Sequence, residues 1–196
     1  MAGMFPDEGR ESPRHRARNL LALVQALAEA SRPGESLEDY RSRLGRRLAA
    51  LARAESLLPE REGEQAPSVG RLVRGELASW GLGEDSRVAL AGPVAPIRPR
   101  AVRMLALALH ELAANAAEHG ALARDGGGLA ISWERKGGHV VIEWRETCAS
   151  ASPDAPRGFG RELIEEGLPH QLGATVDYRL GPEGLICRIV AQIAAD

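Results

Sequence analysis

Leu20, Leu23, Val24, Leu27 and Ala28 recur at spacings of three and four, the apolar stripe of an amphipathic helix. Ser12-Pro13 stands ahead of it. Serine caps free amide groups, and proline is tolerated at the first helical position, where its missing N–H is not needed. Ser31-Arg32-Pro33-Gly34 closes the segment, so a helix is predicted from Ser12 to about Ala30. A second stripe, Leu37, Tyr40, Leu44, Leu48, Leu51 and Leu58, predicts a helix over 36–58. The short connection makes the two an antiparallel hairpin. Two helices alone offer too little partner surface for both stripes, and a homodimeric four-helix bundle would supply it.

Glu60 to Pro67 is polar and contains glycine and proline, so it reads as a linker. Two domains are expected, 1–62 and 63–196. In the second, the pattern predicts helices at Val69–Trp80, Pro99–His119 and Gly160–Gln171. Strands are predicted at Arg87–Ala91, Leu129–Glu134, Val140–Glu146, Ala174–Leu180 and Leu185–Gln192. Lys136-Gly137-Gly138 and Gly181-Pro182-Glu183-Gly184 turn two of the strand pairs, and a loop fills 147–157. Strands joined mainly as hairpins, with helices segregated from them, make the fold class α+β with an α/β sandwich as the second domain.

Composition narrows the function classes. With 44% hydrophobic and 27% charged residues the chain is an ordinary folded protein. No apolar run approaches the roughly 20 residues of a membrane span; Arg103 interrupts the stretch Ala101–Leu109. The first residues carry charges and no apolar core of a secretory signal, which places the protein in the cytoplasm. A net charge of -2 gives no footprint for nucleic acid or an anionic membrane. Cys148 and Cys187 are far apart and without metal-ligand spacing, so small buried thiols are expected rather than a disulfide or zinc site.

Three constellations carry candidate chemistry. His15-Arg16-Ala17-Arg18-Asn19 puts His15 and Asn19 on one helix face. A helix start there would disfavour imidazolium and favour a bound phosphate, which suits a nucleophilic histidine; a plain surface histidine is the bland alternative. Glu111, Asn115 and His119 recur every fourth residue, a polar line opposite Leu105, Leu109 and Leu112. It is either a Mg²⁺ and phosphate face or a solvated face ending in a glycine cap at Gly120. Arg157-Gly158-Phe159-Gly160-Arg161 precedes a predicted helix, where glycines let backbone amides approach an anion.

Together, His15-Arg16-x-x-Asn19, the His110-Glu111-x-x-x-Asn115 helix ending His119-Gly120-Ala121-Leu122, Trp144-Arg145-Glu146 and Gly158-Phe159-Gly160 resemble, in order, the phosphoacceptor box, N box and two glycine boxes of the HWE histidine kinases. The resemblance covers nearly the whole chain from Ser12, and the family's name-giving residues fall on His110, Trp144 and Glu146. It implies a dimerising phosphoacceptor hairpin followed by a Bergerat-type ATP-binding sandwich, as in gyrase and anti-sigma kinases. It further implies that Asn115 and Glu111 serve Mg²⁺ and the ATP phosphates, that His110, Trp144 and Glu146 belong to the nucleotide site with Glu146 reading the adenine amino group, and that Gly158, Phe159 and Gly160 shape a lid. His15, flanked by Arg16 and Asn19, would take the γ-phosphoryl group and pass it to an aspartate of a response-regulator receiver domain.

The chain departs from that family where Thr147-Cys148-Ala149-Ser150 replaces a glycine pair and proline, where Glu118 stands for a lysine, and where Ser12 stands for an acid. An alternative is therefore a histidine phosphotransferase or adaptor with a degenerate ATP site; an anti-sigma serine kinase would need neither hairpin nor His15. Some fourteen residues precede His15, so input is expected from a separate sensor or an upstream kinase. Arg41, Arg43, Arg46, Arg47 and Arg53 would face an acidic receiver or solvent.

Overall fold

A computed structural model describes residues 13–31, 34–59, 66–147 and 158–193. They divide between two compact units, 1–48 and 49–196.

The first unit holds α1 (Pro13–Glu29) and most of α2 (Leu37–Glu55). The Ser12 cap lies outside the described residues. α2 starts where expected, because the Ser36 hydroxyl accepts the Asp39 N–H at 3.1 Å and donates to the Asp39 carboxylate at 2.6 Å. Tyr40 Oη donates to the carbonyl of Ala28 at 2.5 Å, and Arg43 Nη2 to that of Ala30 at 2.8 Å while pairing with Glu35. These bonds serve carbonyls that the end of α1 leaves without helical donors. α2 is regular only to Glu55; Leu57 and Leu58 donate three residues back, so the predicted last turn is a tight one.

The second unit is a mixed α/β domain: the last turns of α2, then α3 (Val69–Ser79), β1 (Val88–Ala91), α4 (Pro99–Glu118), a short 3₁₀ turn (Ala121–Ala123), β2 (Gly128–Lys136) and β3 (His139–Thr147). After 158 come α5 (Phe159–Glu162), a π-helical turn (Leu163–Gly167), α6 (Leu168–Leu172), β4 (Thr175–Gly181) and β5 (Gly184–Ala191). The strands form one sheet in the order β1-β2-β3-β5-β4. β2–β3 and β4–β5 are the expected hairpins, the former closing through Gly137 and Gly138 with φ of 53° and 82°, a backbone that a two-residue turn requires and side chains resist.

β1, whose partner the sequence reading left open, pairs with β2 in parallel, Val88 opposite Leu129, through the crossover α4. One feature differs from that reading. The single helix predicted over 160–171 is interrupted by the π turn ahead of Pro169, which has no N–H to donate to the preceding turn.

Alternation sorts the sheet into two faces. Leu129, Ile131, Trp133, Val140, Ile142, Trp144, Cys187 and Ile189 are buried with the helices, as expected for the Cys187 thiol. Ser132, Glu143, Arg188 and Asp177 form a polar row on the other face, each opposite the next in register. Among the described residues no helix is long and apolar enough to cross a membrane.

Candidate functional site

α4 is the spine of the site. Pro99 occupies its first turn, and alanines and leucines fill it, so propensity and burial agree. Thirteen of its residues, from Ala101 to Ala116, are buried. The polar line of the sequence therefore emerges gradually: Glu111 is 5% exposed, Asn115 half-buried, and the His119 side chain 70% exposed beside Glu118. Of that line only Glu111 is buried.

Gly158, Phe159 and Gly160 form the turn into α5, with Arg161 and Glu162 donating to the Gly158 carbonyl. Gly160 lies directly on Glu111: a Cβ there would run into the Glu111 carboxylate, and its nearest carbons would be 3.1 Å away. A Cβ on Gly158 would meet open space. Of the predicted glycine pair, only Gly160 is required by packing. Arg161, which flanks these glycines, pairs with Glu165 at 2.9 Å and covers the Tyr178 ring at 4.9 Å. Burial pushes the Tyr178 hydroxyl up to about 12.

Trp144 and Glu146 alternate onto the buried face of β3. Trp144 Nε1 donates to one Glu146 oxygen at 3.0 Å, and the backbone N–H of Ala121 to the other at 3.0 Å. Burial raises the Glu146 pKa, opposed by those two hydrogen bonds. Gly120 is not the left-handed cap offered as the bland alternative. Its φ is -94°, its N–H and that of His119 both reach the Asn115 carbonyl, and a Cβ would strike the Glu146 carboxylate.

His110 points elsewhere. It is 3% exposed, with Nδ1 3.2 Å from Glu76 Oε2 on α3 and its ring 5.8 Å from Trp80. Arg53 Nη2 donates to the same Glu76 oxygen at 2.8 Å. Glu76 and Trp80 were not singled out in the sequence as site residues, and Arg53 only as one of the arginines facing a receiver or solvent, although Glu76 falls on the stripe Val69, Leu72, Val73, Leu77 as a carboxylate in an apolar place.

His15 and Arg16 lie in the first turns of α1, with side chains outside the described residues; Asn19 is exposed. Arg157 and the stretch Cys148-Ala149-Ser150 also lie outside them. Of the arginines expected to face a receiver, Arg43 and Arg47 are instead buried and Arg53 is tied to Glu76, whereas Arg41 is exposed and Arg46 half-buried. A groove of 460 Å³ lined by Ser132, Glu143 and Arg188 belongs to the open sheet face and contains none of the predicted site residues.

The structure thus brings Glu111, Asn115, Gly160, Trp144 and Glu146 to α4 and its C-terminal end. Carboxylate and carboxamide oxygens one turn apart fit Mg²⁺, a hard cation that takes one or two protein ligands and completes its shell with water and phosphate.

Residues 14–94 match the model of the family described as HWE histidine kinase. Blue-light-activated histidine kinase 1 of Erythrobacter litoralis is 31% identical over 186 residues, 92% of this chain and 51% of that protein. A blue-light-activated histidine kinase of Rhizobium johnstonii is 35% identical over 178 residues, 89% of this chain and 50% of its own. The chain spans about half the length of these relatives. The histidine kinase domain of an Erythrobacter litoralis blue-light activated histidine kinase superposes with a TM-score of 0.60 at 14% identity, over 90% of this chain and 96% of that one, a likeness of fold. The ordered motifs, the match over residues 14–94 and this fold agree in making the chain similar to the HWE histidine kinases.

Proposed function

We propose that this protein is the kinase core of a two-component system, which phosphorylates His15 from ATP and hands the phosphoryl group to a receiver aspartate. The observation that carries this reading is the seat of Gly160 on Glu111, which puts the second glycine box directly on the N box. In it, Glu111 and Asn115 hold Mg²⁺, which when bound offsets phosphate charge. The turn 158–160 covers the phosphates. Each Glu146 oxygen keeps a second lone pair beyond its present hydrogen bond, and one of these would accept the adenine amino group. A neutral imidazole of His15 attacks the γ-phosphorus, the bond to the β–γ bridging oxygen breaks, and ADP leaves with the electron pair. Positioning and charge neutralisation supply most of the acceleration. The reading includes dimerisation through α1 and α2 and a cytoplasmic location.

One observation favours the second reading, a phosphotransfer or docking module. Both oxygens of Glu146 already accept N–H groups of the chain itself, and the side chain is buried. Titration of Mg-ATP into the full chain separates the two. Micromolar, Mg-dependent binding is expected of the kinase; an absence of binding would leave the phosphotransfer module.

A further inference from the structure

The buried group around Glu76 takes no part in the site described above. Glu76 is 3% exposed on α3, its Oε2 accepts from Arg53 Nη2, and the same oxygen lies against His110 Nδ1 on α4. His110 is followed directly by Glu111, and Asn115 stands one turn later. Arg53 belongs to the last turns of α2, within the second unit. A second ion pair, Glu55 with Arg103, ties that same helix end to α4. For stability alone, an apolar side chain at position 76 would serve as well, since a buried ion pair seldom outperforms hydrophobic packing of similar volume.

We propose that Arg53, Glu76 and His110 are a positioning relay that sets the placement of Glu111 and Asn115 according to where the last turns of α2 lie. The proposal rests on reading Glu111 and Asn115 as the nucleotide site. Arg53 fixes the Glu76 carboxylate, the carboxylate fixes the imidazole, and the imidazole fixes the rotation of α4 immediately before its functional residues. A displacement of α2 then reaches the site through charged contacts whose geometry is directional. A hydrophobic contact in their place would tolerate sliding.

Arg53→Met and Arg53→Lys in the full chain test this, because the Arg53 side chain is 36% exposed and its replacement leaves the core filled. Amide hydrogen exchange over Glu111 to Ala117 is read first, and Mg-ATP affinity second. Arg53→Met should speed exchange there and weaken Mg-ATP binding, each about fivefold or more, whereas Arg53→Lys keeps both within about twofold of the parent. Arg53→Met combined with His110→Asn should be no worse than the worse single change, because a relay broken twice is broken once. Unchanged exchange in Arg53→Met, equal losses in Lys and Met, or additive losses in the double variant would overturn the relay. Failure of the parent to bind Mg-ATP would instead overturn the nucleotide reading, and the exchange data would still decide whether Arg53 holds α4.

Discussion

Glu76 and Glu146 are the same side chain at nearly the same burial, 3% and 5% exposed, and they are held in different ways. Glu76 faces a guanidinium and an imidazole brought by two other helices. Among the described residues Glu146 meets only neutral donors, the indole of Trp144 and the backbone of Ala121, and burial there raises its affinity for a proton. The first is a tie among α2, α3 and α4. The second is a local brace between the end of β3 and the turn after α4. Glu111, a third buried carboxylate, lies beneath Gly160 and, like Glu146, belongs to the candidate site. Burial alone does not say what a carboxylate does; its partners do.

The largest effect should come from Glu76→Ala, which strands the charge of Arg53 and the imidazole of His110. Removing one member of a buried pair costs several kcal/mol, and the partial exposure of Arg53 puts the loss near the low end, about 3 kcal/mol in urea unfolding. A loss no greater than that of a surface pair would erase the contrast with Glu146.

Gly160→Ala comes next and separates Glu111 from the other two carboxylates. The added methyl displaces the Glu111 carboxylate and should weaken Mg-ATP binding about tenfold, some 1.4 kcal/mol, with little change in unfolding midpoint. Gly158→Ala is the matched control and should change neither quantity.

Glu146→Gln should cost about 1 kcal/mol near neutral pH, because its amide group cannot accept both N–H donors. The more telling result is the pH profile. The folded state holds the Glu146 proton more tightly than the unfolded chain does, so protonation favours folding. Stability contributed by this group is greatest below the ordinary glutamate range, falls as pH rises up to the raised value, and is level above it. Glu146→Gln removes that slope; an unchanged profile would assign it to other groups.

Asp85 gives the smallest effect. Arg87 beside it holds its carboxyl down to about 2, so its contribution is present above the ordinary aspartate range and lost as pH falls through about 2. The pair lies at the surface, and Asp85→Asn should be indistinguishable from the parent at neutral pH by thermal unfolding.

The sequence made much of this legible. Stripes at spacings of three and four located α1, α2, α3 and α4 to within a few residues, and Lys136-Gly137-Gly138 announced its hairpin, because local periodicity and turn chemistry are local properties. The parallel pairing of β1 with β2 was not legible, since it joins segments separated by the whole of α4. Ordered motifs brought Glu111, Asn115 and Gly160 into view, but not the reason for Gly160, which lies in a contact across almost fifty residues of chain. His110 and Trp144 were assigned to the nucleotide site by resemblance; in space His110 lies against Glu76, outside that group, and Trp144 holds Glu146, a member of it. Glu76 had a signal of its own, a charge on an apolar stripe, which only its partners explain.

The most direct test of the account is incubation of the full chain with Mg²⁺ and γ-labelled ATP, followed by acid and alkali treatment of the labelled protein. The kinase reading predicts an acid-labile, alkali-stable label in the parent chain and none in His15→Gln. No label in the parent, or a label that persists in His15→Gln, would contradict it.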